Sequence, residues 1–218
     1  MQADQNGRSR SPFIGVLAVA LVMAGSLAGP VVGALFVFAW AGLTGSPLSA
    51  IGLVGPRRWA VTLLGGIALG IVFKLLMKAV VMPLLGAPPI NEAYRYLSGN
   101  PAALPGVVVT VLVSAAFCEE VVYRGFLLER LGVLLGRGRL AVTAAVAIST
   151  LLFAAAHYAD QGLFGTLQAA VTGTVFAGLF LWRRELAFVM VVHAAFDLTA
   201  VALIFKGWEV PVARFVIG

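Results

Sequence analysis

Glu119-Glu120-x-x-x-Arg124, Phe153-x-x-x-His157 and His193-x-x-x-Asp197 are three short motifs set in strongly apolar stretches of this chain. Together they supply carboxylates, imidazoles and one guanidinium, and both histidines of the protein belong to the set. Ionisable groups inside lipid-spanning segments are costly and as a rule face a functional interior. Carboxylates and imidazoles gathered at that depth can take a proton from water and donate to a developing oxyanion. That is the chemistry of a water-activating hydrolase.

The spacing assigns different work to each group. Glu120 and Arg124 are four apart, so on a helix they share a face with the acid N-terminal, the favoured order for a pair. Glu119 is rotated by about 100° from Glu120. It lacks the arginine partner and is the carboxylate left for proton transfer, while Glu120 and Arg124 brace the helices. Phe153, one turn before His157, packs beside the imidazole and limits its rotation. His193 and Asp197 also share a face. Asp197 is expected to accept from one ring nitrogen and fix the tautomer, leaving the other nitrogen for chemistry.

Glu119, His157, His193 and Asp197 are also all competent zinc ligands. One divalent ion, with zinc the natural choice, is therefore the alternative to a metal-free site. The chain has no H-E-x-x-H, which would set two ligands and a base on one helix, so the metal-free reading is preferred. Lys74 and Lys78 lie four apart in another apolar run. Lys78 is expected to snorkel to the surface. Lys74 is deeper and is expected to meet an acid or an anionic group of a substrate. Glu129 and Arg130 read as a solvated boundary. The single Cys118 cannot form an intrachain disulfide and reads as a small buried packing residue.

Positioning these groups falls to helices in a membrane. The chain has 218 residues, of which 61% are hydrophobic and 11% charged, with a mean hydropathy of +1.02. A soluble domain would be about half apolar and about a quarter charged. The formal charge of +6 is carried largely by arginine pairs at the ends of apolar runs. That pattern follows the positive-inside rule rather than a basic groove. Lipids are therefore expected partners and nucleic acid is not, and the chain reads as a multi-pass protein of the cell membrane.

Residues 1–12 are polar and expected to be disordered, and residues 13–218 form one integral membrane domain. The apolar runs cover about 13–42 (broken at Gly29-Pro30), 60–85, 106–135, 140–157, 163–182 and 187–205. Most approach the length of about 20 residues that a span needs. The fold class is thus all-α, a polytopic transmembrane bundle of six or seven helices. Ser26-Leu27-Ala28 resembles a signal-peptide cleavage site, but the apolar run continues past it, so the first run reads as a retained anchor. With Arg57/Arg58, Arg137/Arg139 and Arg183/Arg184 on the cytoplasmic side, loops 86–105 and 158–162 and the C-terminal tail fall outside. Keeping Arg8 and Arg10 inside as well requires two short crossings, or a re-entrant hairpin, turning at Gly29-Pro30.

The ordered trio E-E-x-x-x-R, F-x-x-x-H and H-x-x-x-(D/N), on successive hydrophobic helices, resembles the CPBP family over about residues 104–205. These are the CAAX-protease and bacteriocin-processing proteins, also called type II CAAX prenyl endopeptidase or Abi proteins. The resemblance implies an all-α intramembrane endopeptidase acting on a peptide or protein substrate, lipidated or not. It implies that Glu119 and His157 activate water, that His193 and Asp197 stabilise the oxyanion, and that Arg124 is the family arginine. Where other members carry Asn, residue 197 is Asp, a group that accepts rather than donates. Asp197 is therefore better suited to orienting His193 or binding a metal. The family also includes proteins described as metalloproteases and bacteriocin-immunity proteins. A catalytically silent immunity or scaffold protein is accordingly the first alternative. A small proton-coupled transporter is the second, although the inverted repeats or paired broken helices of such proteins are not apparent.

One conflict follows from counting along the runs. His157 falls near the outer end of its run, and His193 about six residues from the cytoplasmic end of its own. A hydrolase requires them to meet in one site.

Overall fold

Glycine and proline placement decides where the apolar runs divide. The structure is a computed structural model that describes residues 12–136 and 138–217. Helix α1 (Pro12–Leu27) and helix α2 (Pro30–Thr44) are separated at Gly29, whose φ of 139° suits glycine alone, and Pro30 opens α2 with its preset φ. With 16 and 15 residues, these helices are about 24 and 22 Å long. Both fall short of the roughly 30 Å hydrocarbon core. They pack on one another as a short helical hairpin, as the break predicted. The orientation of Arg8 and Arg10, the order of residues 1–11 and the position of Arg137 lie outside the described residues. Pro12, expected in the polar segment, already belongs to α1.

The remaining helices are α3 (Val61–Leu84), α4 (Pro101–Leu135), α5 (Arg139–Ala156), α6 (Tyr158–Arg183), α7 (Leu186–Phe205) and α8 (Glu209–Ile217). Helices α3 to α7 are long and apolar enough to cross a membrane. Among the described residues there is no strand. The protein is a multi-pass all-α bundle with its apolar side chains turned outward: Leu64, Leu140 and Leu151 are exposed. Lys74, Glu120, Arg124 and His193 are buried. The exterior suits lipid, and the polar groups are reserved for the interior.

The loop expected at 158–162 is not a loop. His157 alone makes the turn, and the Gln161 amide donates to the His157 carbonyl at 3.0 Å, so Tyr158–Gln161 wind as the first turn of α6. Gly162 then breaks the helix with φ 63° and ψ −162°. The C-terminal tail is also ordered, since α8 folds back on the Met77–Val81 part of α3.

Two sets of polar contacts hold the ends of the bundle. At one end the buried Glu185 accepts from Thr62 Oγ1 at 2.7 Å and faces Arg183 Nη2 at 3.6 Å and the Arg57 amide at 3.5 Å. This brings Arg57, just before α3, and Arg183 of α6, both expected on the cytoplasmic side, to one end of the bundle. At the other end Glu209 of α8 accepts from Lys78 Nζ at 3.1 Å and from the Asn91 amide at 2.9 Å. Lys78 also donates to the Pro89 carbonyl at 2.6 Å. The expectation that Lys78 snorkels is therefore corrected, because a carboxylate and a carbonyl hold its ammonium inside. Arg130 is corrected likewise: it is buried, with its guanidinium 4.5 Å from the Trp40 ring centroid, and Glu129 is its ion-pair partner.

Between these ends α3 and α7 meet at their closest through Gly66 and Gly70. A Cβ on Gly70 would lie 2.4 Å from the Val192 carbonyl oxygen and 2.7 Å from Ala195 Cβ. Gly70→Ala should therefore destabilise the protein by about 1–3 kcal/mol. Gly106, where a Cβ meets nothing within 4 Å, is the matched control. Unfolding of both variants in detergent measures the difference. Equal stability of Gly70→Ala and Gly106→Ala would contradict this packing.

Candidate active site

The first motif occupies a stretch, Thr110–Leu127, wound with i→i+5 hydrogen bonds rather than the α-helical pattern. Such widened turns are rare and tend to occur at functional sites. Here the stretch presents Glu119, Glu120 and Arg124 to α5, α6 and α7. Glu120 is fully buried, and its Oε1 accepts from Arg124 Nη1 at 3.0 Å. The same oxygen accepts from His193 Nδ1 at 2.7 Å. The Arg124 guanidinium carbon lies 4.0 Å from the Phe153 ring centroid and 5.4 Å from that of Phe176. Aromatic faces thus replace water around a buried cation. The expected Glu120–Arg124 pair is present, and Phe153 supports it as well as His157.

His193 departs from expectation. Its Nε2 lies 3.3 Å from Asp197 Oδ2, as the spacing predicted, and 4.0 Å from Glu119 Oε2. The other nitrogen is not free, because Glu120 holds it. Sequence reasoning expected a spare nitrogen there. It could not see that α4 brings a second carboxylate to the ring from 73 residues away. Each imidazole nitrogen faces a carboxylate oxygen, a geometry in which both nitrogens donate.

His157 also packs on Phe153. Its Nδ1 lies 2.8 Å from the Phe153 carbonyl oxygen, an atom that only accepts, so Nδ1–H donates and Nε2 carries the lone pair. The Phe153 ring lies 4.6 Å from the His157 ring and 6.4 Å from that of His193, centroid to centroid. Both imidazoles lie near one phenyl ring, so they meet in one region of the bundle although counting along the runs set them apart. Glu119, Glu120, Arg124, His193 and Asp197 are in direct contact or close to it. His157 borders the same cluster and packs on its Phe153 ring. Glu119 Oε2 is buried and has no hydrogen-bond donor.

Among the described residues, no three His, Cys, Asp or Glu side chains are arranged to hold a metal ion.

Lys74 is buried at the edge of this cluster. Its Nζ donates to Gln168 Oε1 at 3.1 Å and lies 4.6 Å from the Phe196 ring centroid. It opens onto a cavity of about 290 Å³ lined also by Gln161, Phe164, Gln168 and Leu203. None of Glu119, His157, His193 and Asp197 lines that cavity, which lies beside the cluster. Gln161 Nε2 donates to Tyr94 Oη at 3.0 Å. Burial, reinforced by the Asp197 charge, pushes the Tyr94 phenol up to about 12, so it remains a donor at neutral pH. Sequence reasoning missed Gln161, Gln168 and Tyr94. Gln168 could have been found as an amide in an otherwise apolar run, whereas Gln161 lay in the expected 158–162 loop and Tyr94 carried no signal.

Residues 101–199 match the family model described as type II CAAX prenyl endopeptidase Rce1-like, a family of membrane proteases. The match covers α4, α5, α6 and most of α7, with every residue of the three motifs. It agrees with the CPBP resemblance. No curated protein and no solved structure matches the chain.

Removing the guanidinium would leave the buried Glu120 with one of its two donors, His193. Arg124→Met should cost about 3–5 kcal/mol, the range for breaking a buried pair. Denaturation in detergent checks this, and a loss below about 1 kcal/mol would show that the pair does not organise the site.

Proposed function

We propose that this protein is an endopeptidase of the cell membrane that hydrolyses a peptide bond with water activated by Glu119 and His157. One observation carries the reading. The donor-free Glu119 Oε2 lies 4.0 Å from His193 Nε2, and both are in a buried cluster flanked by an imidazole with a free lone pair. That combines a base, a water acceptor and a hydrogen-bond donor, the minimum for attack on a carbonyl. The family match over 101–199 supports the same chemistry.

In this mechanism water donates one hydrogen bond to His157 Nε2 and gives its other proton to Glu119. The hydroxide adds to the scissile carbonyl carbon, and the carbonyl π electrons move to oxygen. His193 Nε2–H, held by Asp197 through a long 3.3 Å contact, turns its hydrogen bond to the oxyanion. Glu120, holding Nδ1 at 2.7 Å, keeps the ring fixed as that exchange occurs. Collapse of the tetrahedral intermediate breaks the C–N bond, and Glu119 returns its proton to the leaving amine. Asp197 orients His193 and does not donate, which accommodates a carboxylate where an amide would otherwise stand.

Glu119→Gln, in a chain that still folds in detergent, should abolish cleavage of a peptide substrate. His193→Ala should lower turnover by about two to three orders of magnitude, the usual cost of losing an oxyanion donor. Full turnover by Glu119→Gln would sink the mechanism.

The site is read as metal-free. Active purified protein should hold no stoichiometric divalent ion and should keep its activity in chelator. Elemental analysis that finds about one ion per chain, lost together with activity, would overturn the metal-free mechanism while leaving hydrolysis intact.

A further inference from the structure

The reaction described above gives the oxyanion one donor, His193 Nε2–H, and leaves Asp197 as an acceptor. Oxyanion sites work through donors aimed in advance at the developing charge, and a phenol O–H can serve as one. Tyr94 meets the requirement of position. It lies in the Glu92–Leu97 turn between α3 and α4, where its φ of −114° and ψ of 15° depart from helical values. This backbone lies near the bridge region, where many active-site residues sit. Two neighbours hold the turn. It packs against α7, which carries His193 and Asp197, and the Gly99 amide donates to the Phe205 carbonyl at the end of that helix at 3.1 Å. From α6, Gln161 Nε2 donates to Tyr94 Oη at 3.0 Å, and the Gln161 amide donates to the His157 carbonyl at 3.0 Å. The phenol is therefore tied to both segments that carry the imidazoles. It is half-buried, and the charges of Asp197 and Glu119 both act on it.

We propose that Tyr94 Oη–H is a second donor to the oxyanion, acting beside His193 Nε2–H. The phenol oxygen accepts from Gln161, and among the described residues no acceptor takes its hydrogen. Accepting that bond also polarises the hydroxyl and strengthens it as a donor. Addition of hydroxide to the scissile carbonyl carbon moves the π electrons to oxygen, and the phenol then donates a hydrogen bond to that oxygen without giving up its proton. On collapse the electrons return, the C–N bond breaks, and the phenol is unchanged. A neutral donor suits a place that already holds the carboxylates of Glu119 and Asp197. With its pKa pushed up to about 12, chiefly by burial, the hydroxyl keeps its proton at neutral pH. Residue 94 precedes the matched stretch 101–199, so this role extends the active site into the loop before α4. It rests on the peptidase reading above.

The test uses Tyr94→Phe, which keeps the ring and removes only the hydroxyl, in the full-length chain in detergent. The probe is a synthetic apolar peptide that the wild-type chain cleaves, made with either the ordinary amide or a thioamide at the cleaved bond. Mass spectrometry follows the products. Sulfur is a weak acceptor, so the thioamide gains little from an oxyanion donor. Tyr94→Phe should lower kcat on the amide about hundredfold, the usual cost of losing such a donor, with KM within about twofold. On the thioamide the loss should stay below about tenfold. A merely structural role would slow both peptides alike. Gln161→Leu, which releases the phenol from α6, should show the same selective loss at about tenfold and keeps the test decisive if Tyr94→Phe does not fold. Full turnover by Tyr94→Phe, a loss confined to KM, or equal losses on the two peptides in either variant would overturn the proposal. Each of these results leaves Glu119-dependent hydrolysis standing. Absence of cleavage by the wild-type chain would instead remove the peptidase reading, and this role with it.

Discussion

One carboxylate oxygen organises the interior of this protein. Glu120 Oε1 accepts from Arg124 at 3.0 Å and from His193 at 2.7 Å, and the residue is wholly buried. In a low-dielectric interior such an anion persists only if its partners are held in place. Arg124 is held by the faces of Phe153 and Phe176, and His193 by α7. The widened winding of α4, the aromatic lining of α5 and α6 and the depth of α7 must therefore agree with one another. The identity of the adjacent carboxylate follows from the same constraint. Since Arg124 and His193 Nδ1 converge on Glu120, Glu119 remains without a donor and available for proton transfer.

The scaffold delivers α7 to this point by close packing. Gly66 and Gly70 let α3 approach the α7 backbone, and the Thr62–Glu185 bond ties the start of α3 to the turn before α7. Between lipid-facing helices the hydrophobic effect supplies little attraction, so small residues and buried hydrogen bonds carry association. At the far end Lys78, Asn91 and Glu209 join α3, the following loop and α8 around the cavity beside the site. One end is thus closed by a buried acid among arginines, and the other holds a cavity of about 290 Å³.

Much of this was legible in the sequence, for reasons specific to each feature. The apolar runs predicted the five long helices because lipid imposes length and composition together, and Gly29-Pro30 predicted the α1–α2 turn because both residues are restrictive there. The i,i+4 pairs Glu120–Arg124 and His193–Asp197 were readable because both partners sit on one helix. Contacts between helices were not. Nothing local indicates that Glu120 reaches His193, that Lys78 finds Glu209 in the C-terminal helix, or that Arg130 lies against Trp40. Residues 158–162 were misread because polar side chains suggest a loop, while the His157 carbonyl in fact caps a helical turn. Lys74 is buried, as its depth in the run suggested, but the partner beside it is the neutral Gln168 amide and not the expected acid, and its cavity appears only in three dimensions.

The division of labour between adjacent carboxylates depends on Glu119 acting as a base and not as a nucleophile. Cleavage in ¹⁸O-labelled water under single-turnover conditions separates the two directly. If Glu119 deprotonates water, the label enters the new carboxylate of the product in the first turnover and the Glu119 side chain stays unlabelled. An unlabelled product, with ¹⁸O recovered in Glu119 by mass spectrometry, would mean attack by the carboxylate itself and would contradict the mechanism.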